Sequence, residues 1–191
     1  MIRRATLGDV PVIHSLVNHW ARKGSLMPRS VSDLCDELRE FFVYELDGQI
    51  VGCGALHLTL TDATLRSGAS LRSTSLAEIR SVAVAENYLR RGIGTAIVEA
   101  CLADAGTLQV PRLFVLTIVP EFFERFGFCR VPRETFPHKI SAECINCPRF
   151  PDCKEVAMAL ELKAARHPTP HQSRKEKRSR ACSHRKGAPA R

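Results

Sequence analysis

The chain has 191 residues, with 28 Lys+Arg against 20 Asp+Glu for a formal net charge of +8. That length predicts one domain, or one domain with an appendage, large enough to bury a core without covalent staples. Hydrophobic residues at 45% and charged residues at 25% exclude wholesale disorder, a collagen-like chain and a coiled coil.

Met1 to Arg4 lead into a periodic segment, not a signal-peptide core, and no apolar run approaches a membrane span, so a cytoplasmic protein is expected. Thr6-Leu-Gly-Asp9 has the form of a capping box. Val10, Ile13, Leu16, Val17 and Trp20 follow at helical spacing and predict an amphipathic helix ending near Gly24. Ser30 and Asp33 repeat the start signal, and Leu34, Leu38 and Phe41 continue the period of a second helix. Two β-prone runs, Phe42 to Leu46 and Gln49 to Leu58, flank Asp47-Gly48, which signals a hairpin. Residues 61–76 are rich in Ser, Thr and Gly without a period and predict a surface loop.

A strand is expected over 77–84, then a turn at Glu86-Asn87, then a helix opened at residues 90–95 and carrying Ile97, Val98, Cys101 and Leu102. Arg112 to Ile118 is nearly continuously apolar, as for a strand covered on both faces. Pro120 starts a short helix that Gly127 ends, a Cys-rich loop follows, and 156–162 reads as a closing strand. This order predicts a mixed α/β domain, α+β in the character of its central sheet, over residues 1–162. Residues 163–191 hold ten Lys+Arg and one Glu, so the tail carries net +9 and the body net −1. The tail has no Ile, Leu, Val, Phe, Tyr, Trp or Met and is expected to be a disordered basic segment, with at most weak, non-specific polyanion binding and no membrane partner.

In Val82-Ala-Val84 followed by Arg90-Arg91-Gly92-Ile93-Gly94-Thr95, a strand delivers the chain to a Gly-rich turn that becomes a helix. The unpaired N–H groups of a helix's first turn point at one spot, and glycines leave it open to a ligand, so this is a pyrophosphate cradle with Arg90 and Arg91 adding charge. The alternative is a tight strand-to-helix turn with no ligand.

This turn, together with the later Phe122-Phe-Glu-Arg-Phe-Gly-Phe128, resembles the GNAT superfamily of acetyl-CoA-dependent N-acetyltransferases over nearly all of residues 1–162. The resemblance implies the GNAT acyl-CoA N-acyltransferase fold, with the pantetheine arm between two splayed parallel strands, here Glu78 to Val84 and Arg112 to Ile118. It implies that backbone groups of Val82, Ala83 and Val84 hold the pantetheine and that Arg90, Arg91, Gly92, Ile93, Gly94 and Thr95 hold the pyrophosphate of acetyl-CoA. The pattern departs at Leu89, where the family usually has Gln or Arg; largely main-chain phosphate contacts make this a weakening rather than a loss.

Five segments narrow the resemblance to the short, stand-alone amino-acid N-acetyltransferases of the N-acetylglutamate synthase type: Gly24 to Ser30, Asp47 to Leu56, Arg112 to Thr117, Pro120 to Phe128 and Pro137-His-Lys139. That implies acetyl transfer to the α-amino group of L-glutamate, the first step of arginine biosynthesis, with no amino-acid-kinase-like domain and no regulation through one. A dicarboxylate needs cations, and bidentate Arg suits carboxylates best. Arg29, in the Pro-Arg-Ser motif, is the first choice; Arg80, Lys139 and Thr117 are further candidates, each Arg or Lys having a solvated surface charge as its alternative. Glu78 is the candidate base, or else an ammonium holder or structural ion-pair partner, and a main-chain N–H near Val82 is the candidate oxyanion donor. Many GNAT enzymes place a Tyr where this chain has Phe123, so no side chain is assigned to protonate the thiolate.

Cys144, Cys147 and Cys153, with His138 upstream, have spacing compatible with a structural zinc; reduced thiols packing the loop and redox sensing are the alternatives. Cys35, Cys53 and Cys101 fall on apolar faces and read as core. Other readings are transfer to another amine, such as a protein N-terminus, a polyamine or another amino acid, a polyanion-binding module built on the tail, and a metal or redox sensor on an inactive scaffold. A homodimer is compatible with the sequence.

Overall fold

The computed structural model describes residues 1–59, 75–139, 144–145, 147 and 152–162. Its elements are β1 (Ile2–Arg4), α1 (Val10–Arg22), α2 (Val31–Asp36), β2 (Phe41–Leu46), β3 (Gln49–Thr59), β4 (Leu76–Val84), α3 (Ile93–Thr107), β5 (Arg112–Thr117), α4 (Pro120–Glu124), β6 (Cys129–Arg130) and β7 (Val156–Glu161). The strands form one seven-stranded sheet in the order β1-β2-β3-β4-β5-β7-β6. Only β4 and β5 pair in parallel; the other neighbours are antiparallel. This is a mixed sheet with one parallel pair, as the resemblance implies. The basic tail and most of the Ser/Thr/Gly-rich loop lie outside the described residues.

Each face of the sheet is covered by a helical layer whose apolar stripe the sequence period encodes. On one face Val98, Cys101 and Ala105 of α3, with Phe123 and Phe128, pack on Ala77, Ile79, Leu113, Val115 and Met158. On the other, Val10, Ile13 and Val17 of α1 and Leu34 of α2 pack on Phe41, Val43, Cys53, Ala55 and Ala83. Burying each large side chain of this kind stabilises by about 1.5–3 kcal/mol. Burial pushes the thiols of Cys53 and Cys101 up to about 12, so both stay neutral core groups. Cys35 departs from its expected core position and is exposed, because Leu34 takes the inward face of a helix under two turns long.

The second helix is also shorter than its apolar spacing suggests. It ends at Asp36, Leu38–Glu40 forms a single 3-10 turn, and Phe41 is the fully buried first residue of β2, opposite Ala55. The spacing that looks helical is shared between a helix and the strand after it. The edge strands β1 and β6, at three and two residues, are too short to present a period. β1 is tied to the body through Arg3, whose guanidinium donates to Asp9 at 2.7 and 3.1 Å while the backbone N–H and hydroxyl of Thr6 donate to the same carboxylate. The arginine, with those Thr6 bonds, lowers the Asp9 carboxyl to about 2.

α3 crosses β3 over two glycines, and there the absence of a side chain is required. A Cβ on Gly54 would stand 2.5 Å from Cγ2 of Ile97 and 3.2 Å from Cγ2 of Val82; one on Gly52 would stand 2.8 Å from Cγ2 of Ile93. Gly54→Ala is therefore expected to destabilise by about 1–3 kcal/mol through overpacking. Gly106→Ala, at the open end of α3 with nothing within 4 Å of the new Cβ, is expected to stabilise by about 0.4–1 kcal/mol. Urea denaturation midpoints of the two variants check this, and equal midpoints contradict the close approach.

Candidate active site

Parallel pairing of β4 with β5 is confined to Leu76↔Arg112, Ala77↔Leu113 and Glu78↔Phe114. Beyond Glu78 the strands run on to Val84 and Thr117 without bonding to each other, so a cleft opens between them. On the other side of β4 the register to β3 slips between Cys53↔Ala83 and Ala55↔Arg80. Ser81 and Val82 together oppose Gly54, and Ser81 takes a left-handed φ of 55°. The extra residue changes which side chains face α3: Ala77 and Ile79 before the bulge, Val82 and Val84 after it. A bulge of this kind bends the strand and releases backbone groups from the ladder.

A cavity of about 590 Å³ fills the cleft. Its walls are residues 79–82 and Val84 of β4, residues 115–119 at the end of β5, Phe122 and Phe123 of α4, and the start of α3. There Arg90 and Gly92 both have positive φ, 61° and 79°, and the first intrahelical bond runs from the amide of Ala96 to the carbonyl of Gly92. The amides of Ile93, Gly94 and Thr95 thus precede the ladder of a fifteen-residue helix and face a cavity that those residues line. Alternating left-handed residues before a helix N-terminus make an anion-binding concavity. The long cleft and this concavity fit an extended thiol arm ending in a diphosphate.

Of the residues expected at this cofactor, Val82, Val84, Arg90, Gly92, Ile93, Gly94 and Thr95 line the cavity. Ala83 pairs with Cys53 and buries its methyl group on the α1 face, and Arg91 lies over the Tyr88 ring at 5.0 Å; neither is on the wall. Thr117 is on the wall, with its hydroxyl oxygen accepting from the amide of Val119 at 3.1 Å. Phe123 occupies the position where the family's Tyr is looked for, and it is buried. Several wall residues lie outside the site residues that the sequence suggests, among them Trp20, Leu26 and Arg125. Trp20 of α1 donates its indole N–H to the carbonyl of Val84 at 2.8 Å, Leu26 comes from the loop after α1, and Arg125 brings a cation beside Phe122. Trp20 reads from sequence as one more position of an apolar stripe, and only the fold brings its polar edge to β4.

A second, polar region lies on the opposite face of the sheet and meets the cavity wall at Arg80. Since Ala77 and Ile79 face α3, strand alternation turns Glu78 and Arg80 the other way, toward α2. Glu78, 4% exposed, accepts from Nζ of Lys139 at 2.7 Å, so Glu78 is joined to a residue expected at the substrate. The Arg80 guanidinium lies 2.8 Å from Oε1 of Glu37 and 3.5 Å from Oε2 of Glu40. Arg29 bonds the other oxygen of Glu37, and both oxygens of Glu40 lie within 3.0 Å of Nδ1 of His57, which faces Glu78 across the β3–β4 ladder. The sequence singled out Arg29, Glu78, Arg80 and Lys139, and the fold brings them to one face. The glutamates that hold the arginines have no signature, being contacts across 8 and 43 residues of chain.

The cysteine loop does not assemble the expected zinc site among the described residues, where no group of three His, Cys, Asp or Glu side chains is placed to hold a metal ion. Cys147 touches the thioether of Met27, Cys153 lies 3.6 Å from a Glu155 oxygen, and burial pushes the Cys144 thiol up from its ordinary value. The side chain of His138 lies outside the described residues.

Comparison with known proteins places this geometry. Residues 13–128 match the model of the Acetyltransferase (GNAT) family. The chain is 35% identical over 161 residues to an uncharacterized N-acetyltransferase of Chlorobaculum tepidum, covering 84% of this chain and 96% of that one. It is 41% identical over 134 residues to the amino-acid acetyltransferase of Mycobacterium tuberculosis, covering 69% of each. The solved N-acetylglutamate synthase of Neisseria gonorrhoeae, complexed with coenzyme A and N-acetyl-glutamate, superposes with a TM-score of 0.71 at 26% identity, covering 85% of this chain and 35% of that one.

The concavity at α3 makes a specific demand on Gly92. A branched residue forced into its left-handed conformation costs about 1–2 kcal/mol and tilts the first turn. Gly92→Val is expected to weaken CoA binding about tenfold, read from the fluorescence of Trp20, the chain's one tryptophan, which lines the cavity. An unchanged dissociation constant would remove the concavity from the binding site.

Proposed function

The chain belongs to the acetyltransferase (GNAT) family and is an acetyl-CoA-dependent N-acetyltransferase; from that premise we propose that its acceptor is the α-amino group of L-glutamate and its product N-acetyl-L-glutamate, which opens arginine biosynthesis. The observation that carries the choice of acceptor is the pair of largely buried guanidinium groups, Arg80 at 9% and Arg29 at 13% side-chain exposure, on one face beside the Ser81–Val82 bulge. Buried arginines are favourable seats for carboxylates, and an acidic amino acid brings two that compete with the chain's own. The amino-acid acetyltransferase and N-acetylglutamate synthase names of the relatives support the same class.

In this reading acetyl-CoA supplies a thioester activated for acyl transfer, and every other part is the chain's own. The amides at 93–95 hold the diphosphate and the free edge of β4 holds the thiol arm. The main-chain N–H near Val82, freed by the bulge, stabilises charge on the carbonyl oxygen under attack. The acceptor must present a neutral amine, and Glu78, at the root of the cleft, receives its proton directly or through water while Lys139 keeps the carboxylate aimed. Phe123 contributes an apolar wall and no proton, so the thiolate takes its proton from water or from the newly formed ammonium.

One observation favours a second acceptor. Both arginines already meet carboxylates of the chain itself, which suits an amino acid with an uncharged amide side chain such as L-glutamine. Release of CoA measured across the free amino acids, with spermidine as a polyamine control, tests the proposal. Highest kcat/KM with L-glutamate is expected; turnover of spermidine with none of L-glutamate would overturn it. Arg80→Leu is expected to raise the KM for L-glutamate about tenfold or more while leaving that for acetyl-CoA within about twofold.

A further inference from the structure

A single carboxylate of the chain touches both candidate anchors: Glu37 meets Arg80 with Oε1, at 2.8 Å, and Arg29 with Oε2. We infer that Glu37 is a resident carboxylate seated in the arginine pair, which an acceptor's side-chain carboxylate must displace, and that Glu37 thereby sets the preference between a charged and an amide acceptor. The inference rests on the amino-acid acceptor reading and adds to it the residue that tunes it.

Burial decides which member of the trio moves. Glu37 is 22% exposed and stands at the end of the six-residue α2, where φ of −100° and ψ of 9° already leave the helix, whereas Arg80 projects from a central strand and is 9% exposed. Glu37 can turn toward water; Arg80 cannot. Both arginines also have anchors other than Glu37. Arg29 is held through its backbone, its N–H donating to Oδ1 of Asn18 at 3.2 Å and its carbonyl accepting from Nδ2 at 2.8 Å. Arg80 keeps Glu40 at 3.5 Å, and Glu40 is itself braced by His57. Departure of Glu37 thus leaves room at the arginine pair for one carboxylate.

Charge explains the selectivity. Among the described residues the two arginines meet two glutamates, so an added carboxylate enters by exchange, one anion for another. An amide side chain carries no charge to replace and enters without that exchange. Removing the Glu37 charge leaves the arginines in excess and draws in the acidic acceptor.

The test compares kcat/KM for L-glutamate and L-glutamine in the full chain and in Glu37→Gln, which preserves shape and removes charge. The ratio is expected to shift about tenfold toward L-glutamate, through a lower KM for L-glutamate, while Glu37→Asp shifts it much less because the anion remains. A Glu37→Gln ratio that is unchanged, or shifted toward L-glutamine, overturns the inference. Loss of folding in both Glu37→Gln and Glu37→Ala, followed by thermal melting, makes Glu37 a structural bridge and also overturns it. Wild-type enzyme that acetylates neither amino acid overturns the acceptor reading and this inference together; turnover with an unmoved ratio overturns this inference alone.

Discussion

The parallel ladder between β4 and β5 stops after Glu78↔Phe114, and the rest of the site follows from that stop. Backbone groups withdrawn from a ladder must find other partners, so an open seam inside a sheet is held apart by its surroundings. The bulge at Ser81 and Val82 bends β4 away from β5, and α3 and α4 pack into the space on one face. Trp20, from the other layer, takes the carbonyl of Val84 at the far end of the strand. The seam thereby becomes a channel with backbone donors and acceptors along one wall and a helix N-terminus at its mouth.

The same bulge separates the two halves of the chemistry. Before it, Glu78 and Arg80 face α2 and join a network of charged groups, with Arg80 also on the cavity wall; after it, Val82 and Val84 face the α3 layer and line the same cavity. One strand therefore presents polar side chains to one face and main chain to the cleft within seven residues. The left-handed Ser81 is the local strain that the exchange of faces requires.

Much of this was legible in the sequence, for identifiable reasons. The strand over 77–84, the helix opened by Gly92-Ile93-Gly94 and the apolar run from Arg112 each carry their own period or turn chemistry, so their order and the Gly-rich turn at the cavity could be read residue by residue. The bulge could not, because Ser81 is an ordinary residue in an apolar run and nothing local marks its positive φ. Nor could the partners of Arg29 and Arg80. The Pro-Arg-Ser motif marked Arg29, and its place on the strand marked Arg80, as candidates for an incoming carboxylate, but a carboxylate both meet in the fold is Glu37, just past the end of a helix that the apolar spacing made too long. Cys35 was misread through the same overlong helix.

Amide hydrogen exchange with and without CoA tests most directly whether the opened seam is the donor site. Slower exchange is expected at 81–84 of β4 and at 92–95 opening α3, with α2 over 31–36 unchanged. Slowing confined to α2 and its charged neighbours, or none at the seam, would contradict it and leave the bulge a feature of the fold alone.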